Sequence, residues 1–506
     1  ISRSFVYKIE EFCTPQTVCC LILPSKLLYN QKSPSVGFRK LLLTSTKIEK
    51  IIELSSVRKI IFKNVDAPAV ILIFKYDNAK CLKNRIIHIS IKPNIFFKLF
   101  NVIVIEKTDI KFVAQEVLFK NDWAWKTIVY GTSWDFSIIE NIMRKHPTIK
   151  EIIRNKDNKF VSGTGIKDNT GDGKDAAHLV GKPILDSNKG IDHFFINTRK
   201  VDIFNKPKID RPRNDKLFKP PYCLITTGVN CDNYKMRAAY SESEFLYRSA
   251  IYSVKGTNEQ KHVLLNITGL LNSSFFAYLN LMLGSSIGIE REQCLFNEVL
   301  NFPYQYSDEI QRKVQLIQEL KSSNELGAIE KTEEEICNLD NMILKLFGLE
   351  FNPFIDYVLK VQIPLIAGAE RVLPYRTVEK NDLIGYSEIF INYFRKVYSK
   401  ANKHVKVIIY PKVVKKFTIF ELNICDNEPL DDITVIENIN ENKKLMTRFM
   451  VNITNDMFYQ IKDVINFEEK SFFIIKTNEY KNWHPAIAQI DLSEVLDKML
   501  SGNGDK

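Results

Sequence analysis

Two apolar runs, Val57–Phe62 (VRKIIF) and Pro68–Phe74 (PAVILIF), joined by the short polar stretch Lys63–Ala67 (KNVDA), constrain the fold more than any other part of the chain. Both are rich in β-branched residues and short enough to be buried strands. Asn64, Asp66 and Pro68 supply turn chemistry between them. The pattern predicts a β-hairpin at the rim of a sheet, with the Phe62 ring where its first strand ends. Open α/β sheets bind ligands outside the ends of their strands. An apolar ring at such a rim either packs under a loop or stacks on a flat ligand.

The surrounding sequence predicts an α/β region over residues 1–120. Val18–Leu23 reads as a buried strand closed by Pro24, Phe38–Leu43 as a short helix, Ile48–Leu54 as a strand and Ile86–Ile91 as a half-buried strand. Residues 121–220 change character, with Trp123, Trp125 and Trp134 close together and a charged, loop-like Ser162–Gly173 after them, and residues 221–305 return to apolar runs with a helix at Leu270–Leu283. Across Asp308–Leu349, Ile310, Val314, Ile317 and Leu320, and then Ile329, Ile336, Leu339, Ile343 and Leu346, recur at helical spacing with a break near Ser322–Gly327. That spacing predicts a helical hairpin at 306–350. Residues 351–506 read as a mixed module with strands at Val405–Ile409, Phe417–Leu422 and Phe472–Lys476, and a disordered tail from Ser501.

The chain has 506 residues and a net charge of +11, unevenly spread. Residues 141–220 hold 18 Lys/Arg against 10 Asp/Glu, a net of +8. An uneven balance of this kind suits a polyanion partner. Lys150, Arg154, Lys156, Lys159, Lys206, Lys208, Arg211 and Arg213 are the candidates to track phosphates, and Lys235, Arg237 and Arg291 the candidates to bond guanine. Each of these can also be a surface or ion-pair residue. The nine cysteines form no CxxC pair, which argues against structural zinc, and no metal ligands are assigned. Their scatter fits a reducing cytoplasm. No apolar run approaches the roughly 20 residues that cross a bilayer, so no membrane partner is expected. The start at Ile1, close to an apolar strand, reads as that of a fragment.

Ile22–Asn30 (ILPSKLLYN), Phe38–Leu43 (FRKLLL) and Val57–Lys75 (VRKIIFKNVDAPAVILIFK) together resemble the later half of the catalytic domain of adenine-N6 DNA methyltransferases of the γ order. That family includes type I modification subunits and the fused type IIG restriction–modification enzymes. Trp123–Asp135, Phe218–Thr227, Leu270–Tyr278, Ile289–Pro303 and Phe472–Ile490 continue the resemblance in order. It implies the remnant of a Rossmann-like, S-adenosylmethionine-dependent sheet with a β-hairpin (1–120). A DNA target-recognition domain (121–305), the helical hairpin and a C-terminal α+β module would follow. It also implies roles. Phe62, with Lys63 and Asn64, would hold an adenine swung out of double-stranded DNA, and Pro24, Ser25 and Lys26 would form a wall of the active site. Flipping costs a few kcal/mol, and stacking on an aromatic ring returns about 1–3 kcal/mol.

Two motifs of the resemblance are missing: the cofactor-binding Phe-x-Gly-x-Gly turn and the catalytic Asn-Pro-Pro-Tyr. Lys219–Tyr222 (KPPY) imitates the second, but Lys cannot accept a hydrogen bond from an adenine amino group. It and Asn352–Phe354 (NPF) read as structural proline turns. The expectation is the distal part of an adenine-specific methyltransferase, with S-adenosylmethionine bound only in the complete enzyme and no turnover by this chain alone. A restriction or specificity subunit would be a further partner. The rival is a non-enzymatic DNA-binding or specificity subunit of a restriction–modification or phage-defence complex. A second rival, a metal-dependent nuclease built on Glu468-Glu469-Lys470 with Asp456 or Asp463, matches only loosely.

Overall fold

The computed structural model describes residues 2–62, 65–77, 81–93, 103, 105–155, 160–169, 173–323, 325–367, 372–413, 417–437, 463–468 and 470–501. It divides into two compact units, Ile1–Ala369 and Glu370–Lys506, each of mixed α/β structure.

The first unit opens with a five-stranded sheet: β1 (Cys19–Pro24), β2 (Thr46–Glu53), β3 (Ala69–Tyr76), β4 (Arg85–Ser90) and β5 (Ile110–Ala114), in the order β1-β3-β2-β4-β5. β3 runs antiparallel to both β1 and β2, β2 is parallel to β4, and β5 is antiparallel to β4. The buried side chains of β2 and β3 alternate: Ile48 and Ile51 on one, Val70, Leu72 and Phe74 on the other. This is the period-two signature of a pleated strand.

Here the structure corrects the hairpin expected at Val57–Phe74. Val57–Phe62 is not a strand, because Arg58–Ile61 forms one helical turn. The antiparallel pair is β2 with β3, from Thr46 opposite Tyr76 to Glu53 opposite Val70, with a bulge between Ile48 and Lys50. The reason lies in hydrogen bonding. β3 uses both of its edges on β1 and β2, so no edge is left for a third strand, and the Val57 carbonyl instead accepts from the Ile60 and Ile61 amides. β1, read from sequence as buried, has a single neighbour among the described strands, and its Cys20 and Ile22 side chains are exposed. Pro24 ends it, where a missing N–H is tolerated.

A second sheet follows, of β6 (Val161–Thr164), β11 (Tyr222–Val229), β12 (Met236–Ser241) and β14 (Ile251–Lys255) in the antiparallel order β12-β11-β14-β6. β6 falls in the stretch that reads as loop from sequence. Between β6 and β11 lie the short strands β7 (Lys174–Asp175), β8 (Pro183–Leu185), β9 (Asp202–Ile203) and β10 (Lys208–Ile209), and β13 (Leu246–Tyr247) pairs with β8. Alternate residues of the sheet serve two cores. Cys223, Ile225, Ala238 and Val254 join the main cluster, which runs from Val6 to Ile363. Tyr222, Leu224, Ala239 and Ile251 join a second cluster under the short strands.

The segment read as a single helix at Leu270–Leu283 is two, Lys261–Asn272 and Ser274–Leu283. Ser273 breaks it by accepting a hydrogen bond from the Phe276 amide (3.3 Å) as the cap of the second helix. The expected helical hairpin is present as Asp308–Ser322 and Ala328–Leu346, packed against each other. Gly269 lets the Lys261–Asn272 helix approach this pair: a Cβ there would stand 2.5 Å from Ile310 Cγ2.

The second unit is a five-stranded sheet of β15 (His404–Val413), β16 (Phe417–Cys425), β17 (Ile433–Val435), β18 (Asp463–Phe467) and β19 (Ser471–Thr477), ordered β17-β15-β16-β19-β18. Helices Lys380–Tyr398 and Pro485–Ser501 share one core with Val405, Val407, Phe420, Leu422, Phe472 and Ile474.

Candidate nucleic-acid interface

The rim of the first sheet is organised around Glu53, the last residue of β2, which is 2% exposed. Its carboxylate accepts from Ser25 Oγ (3.0 Å), the Ser55 amide (2.8 Å), the Ser55 hydroxyl and the Tyr29 hydroxyl. Burial pushes the Glu53 carboxyl up, against these four donors, which pull it down. The Tyr29 phenol is raised by its own burial and then by Glu53. A buried carboxylate is tolerated only when its acceptor positions are filled, and here the fillers are the end of β1 and the loop after β2. Ser25, within the Pro24–Lys26 stretch expected to form a wall, is thus fixed in place, its amide also donating to the Pro68 carbonyl (3.0 Å).

A segment of the recognition-like region closes over this rim. Lys26 pairs with Glu290 at 2.5 Å. Arg58 donates to the carbonyls of Ser55 (2.5 Å), Asp66 (2.8 Å), Ile289 (2.9 Å) and Glu290 (3.2 Å). Tyr130 donates to the Gly288 carbonyl and lies 3.1 Å from Ser56 Oγ. Nearby, the end of helix Ser274–Leu283 is satisfied by side chains. Lys126 donates to the Leu281 carbonyl, Thr127 to Met282 (3.1 Å) and Gln31 to Leu283 (2.8 Å). These are carbonyls that a helix leaves without an internal partner.

Lys126 is buried, and burial lowers its ammonium to about 7, partly opposed by Glu298 and Glu53. A base whose folded pKa lies below its unfolded value binds fewer protons when folded. Its burial therefore costs stability in full below about pH 7, and that cost shrinks as pH rises from about 7 towards 10.5. Urea unfolding of the intact chain should become harder between pH 7 and 9, by up to about 1.4 kcal/mol per pH unit from this group. Lys126→Met should flatten the rise, and an unchanged slope in that variant would refute the assignment. Buried thiols such as Cys223, which burial holds at about 12, act in the opposite sense above about pH 9.

Phe62 follows the short helical turn and is half-buried. It packs against a small cluster of Leu54, Val57 and Ile91. Lys63 and Asn64 lie outside the described residues. Among the phosphate-tracking candidates, Lys150 and Arg154 are exposed on the helix Ile149–Arg154, Lys208 and Arg211 are exposed, and Lys156 and Lys159 lie outside the described residues. Lys206 is engaged by Asp168 (2.9 Å to its carbonyl), and Arg213 by the Gly165 carbonyl (3.0 Å) and the Thr164 hydroxyl. Of the guanine candidates, Lys235 pairs with Asp340 at 2.8 Å, Arg291 is exposed, and Arg237 lines a cleft.

The imitations of catalytic motifs are structural. Tyr222 of KPPY is buried in β11, donating to the Ser243 carbonyl (2.5 Å) and accepting from the Phe245 amide (2.9 Å). Asn352 of NPF caps its own helix through the Phe354 and Ile355 amides. Gly165, half of a Gly-x-Gly pair, is pressed on backbone: a Cβ would sit 2.1 Å from the Tyr247 carbonyl oxygen. Of the nuclease motif, Lys470 faces Asp426 at 3.4 Å, and Asp456 and Glu469 lie outside the described residues. Sequence reading missed Glu53, Tyr29, Arg58 and Tyr130. Glu53's only signal was a polar residue ending an apolar strand, common at any strand end, and Tyr29, Arg58 and Tyr130 had none.

No family model and no curated protein matches the chain. Among solved structures it is similar to the type IIG restriction endonuclease BpuSI, at 14% identity and a TM-score of 0.26, covering 68% of this chain and 49% of that one. It is also similar to the type IIL restriction-modification enzyme MmeI in complex with DNA, at 13% identity and a TM-score of 0.39, covering 72% of this chain and 50% of that one. A third is the HsdS subunit from Thermoanaerobacter tengcongensis, at 11% identity and a TM-score of 0.16, covering 67% and 98%. The chain spans about half the length of the first two. Likenesses this distant carry no argument about function, which rests on the residues. No helix among the described residues is long and apolar enough to cross a membrane.

Proposed function

We propose that this chain is the DNA-recognising distal part of a site-specific adenine-N6 methyltransferase of a restriction–modification system, acting in the cytoplasm on double-stranded DNA. The observation that carries this reading is the rim around Glu53. Ile22–Asn30 and Val57–Lys75, which resemble consecutive pieces of the methyltransferase catalytic domain, are far apart in sequence. Lys26 of the first and Arg58 of the second nonetheless meet on the same Ile289–Glu290 segment, and Ser55, just before the second, shares the buried Glu53 carboxylate with Ser25. The resemblance implies a catalytic wall beside a base-holding loop, and the shared contacts of Lys26 and Arg58 support that reading. The clamping segment belongs to the stretch that resembles target recognition, so a base held at the rim and a sequence read beyond it would share one frame.

The group that would supply the chemistry is S-adenosylmethionine. Neither the glycine turn nor the Asn-Pro-Pro-Tyr occurs in this chain. Gly165, of the Gly163/Gly165 pair, presses on Tyr247 and Arg248 backbone rather than opening towards a ligand. The residues present do not fit the cofactor, and no transfer step is derived from them. Two measurements test the reading. The chain alone, given tritiated cofactor and DNA, should show no turnover; turnover would overturn the assignment of the chemistry elsewhere. Titration with duplex DNA at increasing salt should give a log affinity that falls linearly with log salt, and a flat line would remove the DNA-binding reading.

A further inference from the structure

Beside β12, on the face of the second sheet that serves the second core, lies a cleft of about 360 Å³. It brings together three cations from separate parts of the chain: Lys189 from the loop after β8, Arg237 from β12 and Lys321 from the helix Asp308–Ser322. One carboxylate, Asp192, pairs with Lys321 at 3.3 Å, which leaves the lining two positive charges in excess. Asn188 and Asn197 add side-chain amides.

Arg237 sets this cleft apart. Its Nε is buried and meets no hydrogen-bond acceptor among the described residues. A buried N–H without an acceptor costs about 1–3 kcal/mol, more for a charged group, and such groups are rare in folded proteins. Other cations of the region have found their partners: Lys206 and Arg248 on Asp168, Lys235 on Asp340, Arg213 on backbone. Arg237 also lines the cleft, where the excess of positive charge from Lys189 and Lys321 favours an anionic ligand.

We propose that this cleft is a phosphate site, in which the Arg237 guanidinium, assisted by Lys189 and Lys321, receives a phosphodiester group of bound DNA. This rests on the DNA-binding reading above and adds the contact that sets the recognition sheet's register on the duplex. Three cations around one pocket suit a phosphate's spread charge better than a single base edge. A phosphate contact fixes position without reading sequence.

The test is fluorescence anisotropy of the full chain with a labelled duplex at several salt concentrations, comparing the parent with R237Q and K189Q. Because Nε has no partner to lose, R237Q should fold as stably as the parent. It should weaken binding about tenfold, equally on target and random duplexes, and reduce the salt slope by about one. K189Q, at an exposed position, should act in the same direction by less. Unchanged affinity in R237Q overturns the proposal, and so does a loss confined to one base pair, which would make Arg237 a base reader. If the parent binds no duplex, the DNA reading fails, and the site is judged by inorganic phosphate alone. Stabilisation of the parent but not of R237Q against heat would support the anion site, and equal response would overturn it.

Discussion

Replacing Arg39 by methionine should lower the unfolding free energy of the first unit by about 3 kcal/mol or more. Arg39 is 1% exposed on the helix Ser33–Ser45. Its guanidinium meets Asp122 through two bonds, Nε to Oδ1 at 2.8 Å and Nη2 to Oδ2 at 2.5 Å. Nη1 donates to the carbonyls of Asn30 (2.9 Å) and Leu27 (3.2 Å). Methionine fills the volume but leaves a carboxylate and two carbonyls without their donor. Leaving one partner of a buried pair costs about 3–5 kcal/mol, and the partial exposure of Asp122 places this case near the lower end. Lysine should rescue little, because an ammonium cannot reproduce the planar fork. The turn that Arg39 holds, Leu27–Asn30, follows directly on Ser25 and Lys26, so the rim should loosen too. Hydrogen exchange of peptides covering 26–45 should accelerate in step with a lower urea midpoint. A change under about 1 kcal/mol would show that the pair is not integral to the fold.

Asp491→Ala should cost the second unit about 3–5 kcal/mol. Lys476 on β19 and Asp491 on the helix Pro485–Ser501 form an ion pair with side chains 1% and 7% exposed. Tyr386 also donates to Asp491, at 2.7 Å. Without the carboxylate, the Lys476 ammonium keeps the Asn482 carbonyl at 3.4 Å and the faces of Tyr386 and Trp483. None of these offsets the loss of a full negative charge. Removing the whole pair is a different matter, since desolvating two charges returns much of what their attraction contributes. The double variant K476M/D491L should therefore recover most of the loss. Urea unfolding followed by exchange of peptides within 380–398 and 471–477 reads both outcomes. Additive losses in the double variant would refute coupling between the two residues.

What could be read in advance followed from patterns local to a few residues. The apolar spacing at Ile310–Ile317 and Ile336–Ile343 became two helices separated at Ser323–Gly327. Val405–Ile409, Phe417–Leu422 and Phe472–Lys476 became strands. Lys219–Tyr222 and Asn352–Phe354, read as structural turns, proved to be held by hydrogen bonds of their own. Where the reading failed, a local pattern was outcompeted by pairing. Val57–Phe62 has the composition of a strand, but β3 was already flanked on both sides, and a segment without an edge to join took a helical turn instead.

The candidate site divides along the same line. Sequence by itself marked the basic stretch and most of the strands, because charge density and apolar periodicity are written residue by residue, whereas Pro24, Ser25, Lys26 and Phe62 were singled out as site residues through the resemblance. Tertiary structure alone decided which charges were taken and which were left over. Burying Glu53 required donors from Ser25, Tyr29 and Ser55. Lys206 and Lys235 were claimed by Asp168 and Asp340, while Arg237 entered a positive cleft with its Nε unanswered. A side chain's availability depends on the neighbours that folding brings within about 3 Å, and most of those neighbours, such as Asp168 for Lys206 and Asp340 for Lys235, lie tens of residues or more away along the chain.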